Sequence, residues 1–374
     1  MIVIVSILAL CGIVASGWSY FENEKAAADE RARLLQIVRD YRSDDPAMGL
    51  PFDWLNCLKR FQSGPVAPRE KFPCETWVAQ GVTSTLFALR IGDDSVPVVE
   101  SRLSGATVDK RLVVDIVGGP GGTPFHSNPA MTDEVVKVHR QRGMLKMLGG
   151  AMEDSPAYQV LQRGYTIASV GYWGTNIRTV QEPNEIKLAM RDVRLAIDYY
   201  RDELGRDPPL ITFSLGNHLA LGAIGKERLE GMNFLSLVPV MDGLQHHLAR
   251  AKLENAKAKA SGDFFGEWKR FSIYKRSGSQ VTFDHSRNLE LSNFGSRFFG
   301  QVDLPWHDVT PTCRCSKIVL GTKDPRTADY LAVNNKLPSF VKVWESDHDL
   351  NQGAPDQTRE LFGDYADCLI AAEG

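Results

Sequence analysis

The chain has 374 residues, 43% of them hydrophobic, and a formal net charge of -3. That is enough apolar material for one large domain or two ordinary ones with a proper core. It carries no Lys/Arg block, which argues against a nucleic-acid partner and leaves a small molecule or peptide as the expected one.

Residues 2–20, IVIVSILALCGIVASGWSY, form an uncharged apolar run long enough to span a bilayer or to act as a secretory h-region. Export or membrane anchoring is therefore expected. Ala15 and Gly17 fit cleavage after Gly17, whereas Lys25, Arg31, Arg33 and Arg39 would keep the C-terminal side cytoplasmic under the positive-inside rule. Residues 21–52 are charged and rich in helix formers, as in an amphipathic helical spacer.

Beyond Cys11 lie Cys57, Cys74, Cys313, Cys315 and Cys368, an odd set that allows two bridges with one thiol left over. Cys57 and Cys74 fall in a segment that reads as loop-rich, where a bridge would close a loop of about 16 residues and add roughly 3 kcal/mol. The alternative is that all are reduced and buried. Cys313-x-Cys315 with His307 lacks a second ligand pair, so zinc is a weak reading and no metal or organic cofactor is expected.

From Glu75 onward short β-rich runs appear: STLFALRI, VPVVESRL and KRLVVDIV, then YTIASVGYW, PLITFS, MNFLSLVPV, KIVLG and FVKVW. Helical patterns separate most of the later runs, and this alternation predicts an α/β fold with a mostly parallel sheet. Before PLITFS, Ile186, Met190, Val193, Ile197, Tyr200 and Leu204 step along one helical face and Gly205 follows as a terminator. Between VPVMDG and KIVLG lie about 70 residues of mixed character, too long for a plain connection, so an inserted cap is expected there.

Chemistry concentrates at the ends of these strands. In TFSLG, Ser214 sits where a strand turns into a helix, a bend that lifts a hydroxyl above the sheet. Gly216 supplies the small residue two places on; Thr212 stands where a glycine is usual, and a moderately small side chain is expected to suffice there. A serine that merely caps the helix is the bland alternative. Upstream, RLVVDIV runs into Gly118-Gly119-Pro120-Gly121-Gly122, whose backbone can aim N–H groups at a developing oxyanion; a tight turn is the alternative. Gly119 and Leu215 are the expected oxyanion donors. Downstream, Asp324 follows one strand and His348 the next, giving the order Ser214, Asp324, His348 of a Ser-Asp-His triad. Asp347 and Asp349 flank the histidine and are the competing acids. His126, His218, His246 and His247 lack this setting and read as surface or packing residues.

VDIVGGPGGTP, TFSLGNHLAL, GTKDPRT and ESDHDL together resemble the motifs of α/β-hydrolases of the prolyl iminopeptidase and tripeptidyl aminopeptidase type, over most of the chain after Phe52. FDWLNC with PCETWVAQG resembles the N-terminal cysteine pair of the secreted tripeptidyl aminopeptidases, which implies export and a Cys57–Cys74 bridge. The resemblance implies an eight-stranded, mostly parallel sheet with helices on both faces and a mainly helical cap. The expected division is 1–20 signal peptide or anchor, 21–52 spacer, 53–243 and 313–374 hydrolase core, and 244–312 cap. Val117 departs from the histidine usual before the glycines, Thr212 from the first elbow glycine, and GYWGTN, with Gly171 and Trp173, from the usual acidic and arginine-glycine turn. In the aminopeptidases acidic cap residues hold the substrate's free amine; Asp263, Glu267 and Glu290 are available for that. The expectation is an exported serine hydrolase forming an acyl-enzyme on a small ester or on the N-terminal residues of a short peptide. Gly118, Pro120, Tyr172 and Trp173 would line the substrate. A carboxylesterase and a catalytically silent binding protein on the same scaffold are its rivals.

Overall fold

A computed structural model describes residues 69–79, 81–92, 94–106, 111–116, 118, 156–172, 186–243, 274–277, 280–283, 304–324, 327–334, 336–346, 348, 350 and 354–373. Its main sheet holds strands β1 (Arg69–Ala79), β2 (Val82–Ile91), β3 (Asp94–Leu103), β4 (Leu112–Ile116), β5 (Thr166–Val170), β6 (Leu210–Phe213) and β7 (Phe234–Leu237). A separate hairpin, β8 (Tyr274–Ser277) and β9 (Gln280–Phe283), intervenes before β10 (Lys317–Gly321) and β11 (Val341–Trp344) complete the sheet. The spatial order is β1-β2-β3-β5-β4-β6-β7-β10-β11. The β1, β2, β3 and β5 neighbours pair antiparallel, and everything from β5 to β11 is parallel.

Parallel strands must be covered on both faces, and β4 and β7, LVVDI and FLSL, are buried at every position. Helices α2 (Ile186–Leu204) and α3 (Leu215–Ile224) cover one face, where Leu112, Val114, Val193, Ile197, Leu219 and Phe234 share a core cluster. Helices α1 (Pro156–Gln162) and α6 (Pro355–Glu373) cover the other, with Val113, Val160, Leu235, Val319 and Phe362. The short helices α4 (Lys226–Glu230) and α5 (Ala328–Val333) follow α3 and β10. A mostly parallel sheet between two helical layers, with a serine at the β6-to-α3 turn, is the α/β-hydrolase fold.

Helix α2 follows the expected stripe: Ile186, Val193, Ile197 and Tyr200 are fully buried, and Gly205 ends it at φ 72°. Helix α3 is buried almost all round, which only a helix enclosed by the molecule tolerates. Gly222 leaves room for the Met190 side chain of α2, whose sulfur a Cβ at that position would run into.

Among the described residues the sheet has nine strands rather than eight, and the extra one corrects the loop-rich reading around Cys74. REKFPCETWVA lacks clean alternation and contains a proline, yet β1 is an edge strand, where a missing N–H costs nothing. Its register with β2 shifts between Pro73 and Glu75. Ion pairs hold it in place: Lys71 meets Glu100 of β3, which also accepts from the Tyr200 hydroxyl of α2 at 2.7 Å, and Arg69 meets Asp202 of α2.

Cys315, at the entry to β10, is bonded to Cys368 of α6 across 53 residues. That takes Cys315 out of any zinc site, and among the described residues no His/Cys/Asp/Glu group is arranged to hold a metal. Cys313 is free, and Cys74 is disulfide-bonded. Cys57, the apolar run, the spacer and most of the stretch 244–312 lie outside the described residues; the described pieces of that stretch are the β8–β9 hairpin and residues 304–312. Among the described residues no helix is long and apolar enough to cross a membrane.

Candidate active site

The residues before and after Ser214 dictate its setting. Leu210 and Ile211 are buried between β4 and β7, so the chain reaches the end of β6 deep in the sheet, and LGNHLALGAI then turns back as the enclosed helix α3. A reversal this tight forces Ser214 to φ 49° and ψ -116°, a region rarely occupied by residues with a side chain. Its N–H donates to Leu237 O at 2.9 Å, which pins the bend to β7. The hydroxyl makes no capping bond to the helix it precedes, so the N-cap alternative does not hold.

Instead Ser214 Oγ lies 2.8 Å from Nε2 of His348. Nδ1 of the same ring lies 2.6 Å from Oδ2 of Asp324. An ionised carboxylate only accepts, so in the neutral imidazole Nδ1 carries the proton and Nε2 presents a bare lone pair to the serine hydroxyl. Asp324 is fully buried in the turn after β10, and His348 is partly exposed beyond the end of β11. The two loops are bound together: Lys323 N–H donates to Ser346 O and Thr322 N–H to Trp344 O, each at 2.9 Å. Thr327 steadies the acid's turn by donating through its hydroxyl to Gly321 O at 2.8 Å. The imidazole also packs on Phe213, with ring centroids 5.5 Å apart. Three residues distant in sequence, each at a strand's C-terminal end, thus form one chain of hydrogen bonds. Asp347 and Asp349 lie outside the described residues.

Gly118 sits against this centre. A Cβ there would fall 2.6 Å from Phe213 Cδ1, 2.8 Å from Phe213 O and 2.8 Å from Ser214 Cβ, so only glycine lets the loop after β4 approach the serine so closely. Gly119, Pro120, Gly121, Gly122 and His126 lie outside the described residues, as do Val117 and Trp173. Leu215 is the first residue of α3, where a helix leaves its N–H groups without intrahelical acceptors.

Two expectations need correcting. Tyr172 does not line an open surface: it is fully buried in the core cluster, and burial together with the Asp115 charge holds its phenol well above the ordinary tyrosine range. Nor is Thr212 merely small. It is fully buried, and its hydroxyl donates to Oδ1 of Asn217. Asn217, three residues past the serine, was not a candidate from the sequence; the only signal was an amide in the first turn of an otherwise apolar helix. His218 is a packing residue: Nε2 accepts the Val240 N–H at 3.1 Å, so Nδ1 bears the proton donated to Leu304 O at 2.9 Å. The acidic candidates Asp263, Glu267 and Glu290, with His246 and His247, lie outside the described residues.

No protein-family model matches the sequence, and no curated protein does. Solved structures do show similarity. A proline iminopeptidase of Mycobacterium smegmatis shares 11% identity over 77% of this chain and 99% of its own, with a TM-score of 0.43. A glucuronoyl esterase from Solibacter usitatus shares 12% over 81% and 87%, with a TM-score of 0.42. A cold-adapted esterase from an Arctic intertidal metagenomic library shares 14% over 79% and 96%, with a TM-score of 0.38. Likeness at this level says nothing of substrate.

Proposed function

We propose that this chain, an α/β-hydrolase by fold, is an exported serine hydrolase that cleaves a small ester or releases the N-terminal residues of a short peptide. The observation that carries the reading is the hydrogen-bonded series from Ser214 Oγ through His348 to Asp324, built on a serine held at φ 49°. Backbone strain of that kind costs about 1–3 kcal/mol and persists where function needs it. A silent binding scaffold has no use for a strained serine aimed at a histidine.

In this reading His348 Nε2 takes the hydroxyl proton as Ser214 Oγ attacks the substrate carbonyl. The oxyanion of the tetrahedral intermediate is received by the N–H groups of Leu215 and Gly119. Collapse breaks the ester or amide bond, and the imidazolium returns its proton to the departing alcohol or amine. Water, deprotonated by the same nitrogen, then attacks the acyl-enzyme and restores Ser214. Asp324 holds the tautomer and stabilises the transient positive charge. Gly118, Pro120 and Trp173 flank the acyl group. No metal or organic cofactor enters these steps. The Cys315–Cys368 bridge accords with an oxidising compartment, and residues 2–20 supply the export or anchoring signal.

A fluorophosphonate probe is expected to label wild-type protein at Ser214 and to leave Ser214→Ala unlabelled, inactive and folded. Near wild-type turnover in Ser214→Ala would sink the assignment. Comparing aminoacyl-arylamides with p-nitrophenyl esters separates peptidase from carboxylesterase.

A further inference from the structure

Asn217 is buried with no exposed surface, and every hydrogen-bonding site of its side chain is engaged. Nδ2 donates to Ser214 O at 2.9 Å and to Leu237 O at 2.8 Å. Oδ1 accepts from the Thr212 hydroxyl and from the Ser236 hydroxyl, the latter at 2.7 Å. The amide can face only one way, because the two backbone carbonyls cannot donate and must meet the NH2 group. Thr212 and Ser236 are themselves fully buried and stand side by side in β6 and β7.

The carbonyl that Asn217 grips belongs to the peptide unit between Ser214 and Leu215. Its own backbone N–H, 3.1 Å away, holds the same oxygen. A peptide unit is planar and trans, so fixing the direction of Ser214 C=O fixes the opposite direction of Leu215 N–H. That N–H is the donor assigned to the oxyanion. The second carbonyl, Leu237 O, also receives the Ser214 N–H and precedes Val238, whose φ of 46° is the other strained non-glycine backbone among the described residues. One side chain thus clamps the peptide units beside both strained turns.

We propose that Asn217, oriented by Thr212 and Ser236, is a positioning residue that aims the Leu215 N–H at the oxyanion. This rests on the serine hydrolase reading, and it gives the threonine at the elbow's first position a task that glycine could not perform. Losing an oxyanion donor costs roughly 10²–10³-fold in kcat, and misaiming one should cost less.

The test is Thr212→Val, which keeps shape and removes the hydroxyl, beside Thr212→Ser, which keeps the hydroxyl. Active sites are counted with the fluorophosphonate probe. Thr212→Val is expected to lower kcat per labelled site by about 10- to 100-fold, with KM within about twofold of wild type. Affinity for a phenylboronic acid, whose tetrahedral adduct on Ser214 places an oxygen at the oxyanion site, should fall in parallel. Thr212→Ser should restore both. Unchanged kcat and boronate affinity in Thr212→Val, or a loss confined to melting temperature, would overturn the proposal. Should Thr212→Val not fold, Ser236→Ala answers by the same readouts. If wild-type protein neither labels nor hydrolyses any substrate offered, the hydrolase reading itself fails. A crystal structure of Thr212→Val then decides the positioning role: an unmoved Ser214 carbonyl rejects it, and a carbonyl that has swung away supports it.

Discussion

Ser214 occupies a conformation that glycine would adopt at no cost, and the hydroxyl it carries there is turned toward His348 rather than the helix amides. Its place at a strand-to-helix bend was legible, as were Asp324 and His348 at the ends of later strands. What could not be read was Thr212: beside a familiar glycine pattern the position looks purely steric, and the amide that receives its hydroxyl lies five residues on, with nothing in the sequence to pair the two. Tyr172 misled for a related reason, because a tyrosine at a strand end looks the same whether it faces a ligand or the core. The buried Asp324 carboxylate, 2.6 Å from the imidazole, supports a sharp expectation. Asp324→Asn should keep the fold but favour the wrong tautomer, lowering kcat by roughly 10⁴-fold. Asp347→Asn and Asp349→Asn should do far less. Steady-state kinetics on the three variants decide it, and an essential neighbour beside a dispensable Asp324 would move the acid elsewhere.

Among elements, the decisive contact is between the end of β4 and the turn from β6 into α3. RLVVDIV followed by glycines marks a buried strand entering a bare loop, but that Gly118 lies against the serine depends on β4 and β6 being spatial neighbours, which no local pattern encodes. Phe213 stands at that junction, against both Gly118 and the His348 ring. A methyl group at position 118 would meet backbone as well as side chain, so Gly118→Ala must push the loop and the elbow apart. The expected outcome is a folded protein destabilised by about 1–3 kcal/mol and slowed by roughly 10²-fold, since a displacement near 1 Å is enough. Urea unfolding and turnover per labelled site measure the two effects. Strand β1 was missed for the opposite reason: its charges and proline argue against a strand in isolation, yet they suit an edge.

In the whole molecule, α6 serves as the clasp. Tyr365 donates to Leu210 O at 3.0 Å, Arg163 of the α1 turn forks onto Asp367 at 2.8 and 2.9 Å, and Cys368 is bridged to Cys315. The cysteine count allowed such a bridge without choosing its partners, because the choice is made by packing across 53 residues. Closing a loop of that length is worth about 4 kcal/mol in the chain-entropy account. Cys368→Ser should therefore lower unfolding free energy by roughly 2–4 kcal/mol while activity at low temperature persists; indistinguishable urea midpoints would show that the bridge contributes nothing. The same long-range assembly has a consequence in time. His348 follows Ser214 by 134 residues. At about 5–20 residues per second, a ribosome adds the serine roughly 7 to 27 s before it adds the histidine. If Ser214 is the nucleophile we propose, the growing chain for that interval would hold a nucleophile with no base, inert toward the esters and peptides of the cell that makes it.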